Sequence, residues 1–77
     1  MELIDLLAAI RDLCAARGEI DGVELAHAVG LSKEETFELI EQLDAEDLAV
    51  VEEYGFSCSV EYTVTGLTEA GLAKLNA

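Results

Sequence analysis

The chain has 77 residues, a formal net charge of −13 and 52% hydrophobic residues. That length suits one small domain spanning residues 1–77, with apolar matter for a core but little room for a deep reaction pocket. The charge works against nucleic acid and anionic membranes as unaided partners. No basic segment leads into an apolar run, and no stretch approaches the ~18 apolar residues of a membrane span, so a cytoplasmic protein is expected.

Residues 2–17 place Leu3, Leu7, Ile10 and Cys14 on one helical face, widened by Leu6 and Leu13 on one flank and Ile4 on the other. Gly18, just after Arg17, marks the stop. Glu19-Ile20 reads as a short connector or a one-pair strand. Asp21 is an N-cap, with Glu24 as its reciprocal capping acid, for a second helix over 22–29 whose apolar positions are Val23, Leu25, Ala26 and Val29. Gly30 permits a tight turn. Ser32 and Glu35 form a second capping box, opening a third helix over 33–46. Its spacing turns Phe37, Ile40 and Leu43 inward and sets Glu34, Glu35, Glu38 and Gln42 on the opposite side.

The hydrophobic period then changes. Leu48–Tyr54 and Ser59–Thr65 are rich in Val, Tyr and Thr, and Val60, Tyr62 and Val64 alternate as in a half-buried strand. Gly55–Cys58 is the intervening turn, giving a β-hairpin. Thr68 caps a last short helix carrying Leu72 and Leu75. The expected class is therefore mostly α with a small hairpin (α+β), in the order helix-helix-helix-strand-strand-helix.

This order, with Leu25-Ala26, Val29-Gly30-Leu31-Ser32, Thr36-Phe37, Ile40, Leu43 and Leu48, resembles the winged helix-turn-helix superfamily. Within it the chain is similar to small MarR- and PadR-type regulator domains. Tyr62-Thr63-Val64-Thr65 and Leu67-Thr68-Glu69-Ala70-Gly71 resemble a stretched form of the Y-x-L-T-E-x-G exit from the wing. The resemblance covers nearly the whole chain and implies a winged-helix fold. It specifies function poorly, because function resides in sites rather than folds. The departures lie where such regulators meet DNA. Glu38 and Leu39 stand where small polar or basic residues are usual after the helix 3 threonine. Asp47 stands where glycine usually ends that helix, and residues 52–66 hold Glu52, Glu53 and Glu61 but no cation.

Charge is unevenly spread. Residues 33–66 carry ten acids against one lysine, residues 1–32 six acids against two arginines, and residues 67–77 balance. Duplex binding needs Lys and Arg to neutralise phosphates. Base readout leans on Arg, Lys, Asn and Gln, of which this helix face offers Gln42 alone. The expectation is a protein-interaction or regulatory module that does not bind DNA strongly by itself. It would meet a protein partner, basic in character, through Glu34, Glu35, Glu38, Leu39 and Gln42, with Glu52, Glu53 and Glu61 on the wing. Two other readings stay open: a DNA-binding transcriptional regulator acting as a dimer or at special salt, and a DNA-mimic antagonist offering carboxylates to a basic protein. The acidity alone also reads as solubility or adaptation to high salt.

The broad apolar arc of the first helix makes Ile4, Leu6 and Leu13 a candidate homodimer or partner face. The resemblance points the same way, since related regulators pair through terminal helices. No Ser/His/Asp set, phosphate loop or paired cleft carboxylate stands out, so no enzyme is expected. Cys14 and Cys58 form no CxxC pair and His27 is the single histidine, so no metal or cofactor set is expected, and both thiols are read as reduced. Cys58, amid Glu52, Glu53 and Glu61, lacks the positive surroundings a reactive thiolate needs.

Overall fold

Helix starts and stops fall where short polar side chains and glycines offer backbone partners. In the computed structural model, which describes residues 2–56 and 59–76, Asp21 Oδ1 accepts from Glu24 N at 2.8 Å and Ser32 Oγ accepts from Glu35 N at 3.1 Å. These caps open α2 (Gly22–Val29) and α3 (Lys33–Ala45). Glu24 does not return to its cap; its carboxylate pairs with Arg17 at the end of α1 (Leu3–Arg17). Gly18 and Gly30 close α1 and α2 at φ 84° and 73°, a region open to glycine at little cost. Asp47 takes the same role after α3 at φ 57°, and Leu48 N closes the turn onto Leu43 O at 2.9 Å.

The remaining elements are β1 (Ile20–Asp21), β2 (Ala49–Phe56), β3 (Ser59–Leu67) and α4 (Glu69–Asn76). The strands form one antiparallel sheet in the order β1-β3-β2, so β3 is central and β2 is an edge. Ile20 pairs with Val64 and Asp21 with Thr63, while β2 pairs with β3 along its length, broken by an irregularity between Val50 and Val51. The result is a small α+β domain of four helices and a three-stranded antiparallel sheet, compatible with a winged-helix-like fold.

The core lies between α1, α3 and the inner face of the sheet. Leu6, Leu7, Ile10, Leu25, Ile40, Leu43 and Val64 are fully buried. The Cys14 thiol donates to the Val64 carbonyl at 3.4 Å; burial, then the charge of Glu19, pushes this thiol up from its ordinary pKa.

Three expectations need correction. The order gains β1 between the first two helices, because residues 20–21 find partners in β3; the chain is not helix-helix-helix-strand-strand-helix. The inward stripe of α1 is rotated towards Leu6, which is fully buried, leaving Leu3 and Leu13 half-buried at the flanks. On α3, Thr36 takes the fully buried place assigned to Phe37, and Phe37 lies half-buried against Tyr62. The end of the predicted hairpin turn, including Cys58, lies outside the described residues. Among the described residues no helix is long and apolar enough to cross a membrane.

Candidate functional site

Two stretches of surface collect the acidic residues, and α3 supplies both. On its outer side Glu35, Glu38, Leu39 and Gln42 recur at helical spacing, so they stack along one face. Leu31, in the turn before α3, closes one end of this row. Together these five residues line an open groove of about 260 Å³. Leu39 packs its inner side on the core and is half-buried, as is Leu31. Glu34 is exposed on the same helix but does not line the groove.

The groove's two carboxylates are acceptors, and Gln42 brings an acceptor and donors. Ser32 Oγ donates to Glu35 Oε1 at 3.1 Å, fixing that carboxylate over the start of α3. The Gln42 amide nitrogen donates to Glu46 Oε2 at 3.1 Å, which leaves its carbonyl oxygen and its second N–H free. Glu38 is exposed beside Leu39.

The second stretch is the corner between α3 and the hairpin. Tyr62 of β3 donates its hydroxyl to Glu41 Oε1 at 2.6 Å. Phe37 meets the Tyr62 ring edge-on, with centroids 5.0 Å apart, and Lys33 Nζ lies 5.3 Å from the Phe37 ring centre. The hydrogen bond to Glu41 is the chief cause that pushes the Tyr62 pKa up to about 12, with desolvation and the charges of Glu41, Glu53 and Asp44 adding to it. Glu53 pairs across the ladder with Tyr62, so these carboxylates crowd one corner. Glu52 and Glu61 lie on the other face of the hairpin, where Tyr54 donates to Glu52 Oε2 at 2.6 Å and sits opposite Glu61.

The structure therefore groups Glu35, Glu38, Leu39 and Gln42, and separates them from Glu52, Glu53 and Glu61. It places the wing acids on two faces rather than one. Leu31 was missed because it precedes α3 and lies outside any helical period; Glu41 and Asp44 were visible only as part of an acidic run. Of the candidate face on α1, Ile4 is exposed and Leu13 half-buried, but fully buried Leu6 must be removed from it.

The four cations stand outside the groove. Arg11 pairs with Asp12 at 3.0 Å, Arg17 with Glu24, Lys33 covers Phe37 and Lys74 lies in the last turn of α4. None lines the groove. Among the described residues no three His, Cys, Asp or Glu side chains are placed to hold a metal ion. A smaller cavity of about 60 Å³, lined by Asp21, Gly22, Val23, Phe37, Glu61 and Tyr62, has room for about two waters and brings Glu61 to the edge of the Tyr62 corner. Comparison of the chain with protein-family models, with characterised proteins and with solved structures finds no match.

Proposed function

We propose that the chain is a winged-helix domain acting as a protein-interaction or regulatory module, with α3 and the hairpin as its docking side and without strong DNA binding of its own. One observation carries this reading. The outer face of α3, which would enter a major groove, offers exposed Glu34, Glu35 and Glu38, while Lys33 is drawn to the Phe37 ring. A phosphate backbone brought to that face meets acceptors and negative charge, where binding depends on cations that release counterions. A basic protein surface meets the opposite condition.

The reading is tested with random duplex DNA in a mobility-shift titration at low and physiological salt. No shift is expected at micromolar protein. A micromolar complex that weakens steeply with added salt would make the chain a DNA-binding regulator instead. In a second arm, partners retained by the native chain at physiological salt should be lost when Glu34, Glu35, Glu38, Glu52 and Glu53 are changed to Gln. A helix 1 interface would now rest on Ile4 and Leu13, and light scattering of the free chain reads it directly.

A further inference from the structure

We infer that the groove lined by Leu31, Glu35, Glu38, Leu39 and Gln42 is a seat for a cationic amphipathic helix of a partner protein. The inference rests on the docking reading above and narrows it to one place and one occupant.

The groove's shape argues first. At about 260 Å³ it falls below the ~300 Å³ at which small-molecule pockets begin, and it is open along its length. The row from Glu35 to Gln42 runs about 10 Å along α3, close to two helical turns. A surface of that length receives a rod laid beside α3 rather than a compact ligand.

Its chemistry argues second. Glu35 Oε1 accepts from the Ser32 hydroxyl, and its other carboxylate oxygen remains an acceptor for an occupant. Glu38 contributes two more acceptor oxygens, and Gln42 a carbonyl oxygen together with the one N–H not given to Glu46. Acceptors therefore outnumber donors here, and both charged groups accept. The occupant must donate, and arginine or lysine does so without bringing an acceptor of its own. Leu39 lies within this row and Leu31 at its end. Leu39 is anchored in the core, whereas Leu31 stands half-exposed outside the main apolar cluster. An apolar side chain of the partner would cover Leu31, and cationic stems would lie along Leu39 with their heads at Glu35 and Glu38. A strand would present alternate residues to two sides, while a helix presents apolar and basic positions together on one stripe.

The test uses the full chain and a dye-labelled amphipathic helix of leucine and arginine, about four turns long, with fluorescence anisotropy at about 0.15 M salt. The variant E35Q/E38Q removes two charges and keeps the capping geometry, because glutamine also serves at that place. The variant E52Q/E53Q removes the same charge from the hairpin. Micromolar binding is expected for the native chain. E35Q/E38Q should weaken it about tenfold, Leu31→Ser about fivefold, and E52Q/E53Q less than about twofold. Unchanged melting curves for the variants would assign these losses to the groove. Equal weakening by the two double variants would overturn the inference, since the probe would then sense only overall charge, while leaving the docking reading intact. No binding by the native chain would also overturn it. Failure of the docking reading shows separately, as the duplex shift described above.

Discussion

The two ends of the sheet are held in opposite ways. Where α4 meets the α3–β2 junction, every hydrogen bond ends on a backbone group. Thr68 N donates to Leu48 O at 3.1 Å, the Thr68 hydroxyl donates to Asp47 O at 2.5 Å, and that same hydroxyl accepts from Gly71 N at 3.1 Å. Gly71 is buried so close to Leu48 that a Cβ would overlap the carbonyl oxygen. At the other end, β3 is joined to α3 by side chains: Tyr62 bonds Glu41 and meets Phe37, which Lys33 covers from within α3. Beyond Tyr62 the hairpin exposes Glu53, Tyr54 and Val60. The contrast teaches that the chain builds a fixed frame from groups that cannot move apart without losing a backbone bond, and a surface from groups that can adjust to a visitor.

The sharpest way to break the frame is Gly71→Ala. The added methyl meets backbone, which has nowhere to turn, so a loss of about 3 kcal/mol is expected. For a domain of this size that lowers the melting temperature by well over about 10 °C. A loss under about 1 kcal/mol would show that α4 slides freely and that the frame is no firmer than the surface.

Tyr62→Phe probes the side-chain end. Removing one hydrogen bond to an exposed carboxylate should cost about 1 kcal/mol near neutral pH. The pH dependence has a definite sign. The folded pKa is raised from 10.0 to about 12, so the folded state holds this proton more tightly than the unfolded chain. The contribution is complete below about pH 10 and is lost as pH rises through about 12. Native and Tyr62→Phe melting temperatures should therefore converge over that window. A constant difference from pH 8 to 12 would exclude the hydroxyl–Glu41 bond as its source.

Asp47→Gly should move stability the other way, by about 0.5–1 kcal/mol, because glycine takes φ 57° without strain and a negative charge leaves the C-terminal end of α3. Destabilisation instead would mean that the Asp47 side chain serves a contact that outweighs its backbone strain. The smallest effect is salt. Screening among Glu41, Asp44 and Glu53 should raise the melting temperature by a few degrees between about 0.01 and 0.5 M salt. A flat profile would show that the carboxylates are too dispersed to repel, and would remove the electrostatic half of the contrast.

Local features were legible wherever one residue type dictates one geometry. Asp21, Ser32 and Thr68 announced helix starts, Gly18 and Gly30 announced stops, and the change of period after Leu48 announced the hairpin. Features set by distant partners were not. Two residues cannot display a period, so Glu19-Ile20 reads as either a connector or a one-pair strand until Val64 and Thr63 are seen beside Ile20 and Asp21. Thr36 and Phe37 are neighbours on α3, and which one is buried depends on the Tyr62 ring taking the flank of Phe37. The acids of the candidate site were evident by type. Their division into an outer groove and a hairpin corner was not, because it depends on the rotation of α3 against the sheet and on Leu31 outside its periodicity.

The position of β3 bears on how the chain reaches this structure. The strand that both others need is the last of the three in sequence, and it also receives the Cys14 thiol and carries Tyr62 to Glu41. Helices α1 to α3 can form from near neighbours, but they have no sheet to close on until residues 59–67 arrive. Closing a loop over that separation costs chain entropy that forming the local elements does not. Arrival of β3 should therefore set the folding rate, and Val64→Ala would slow refolding more than it speeds unfolding.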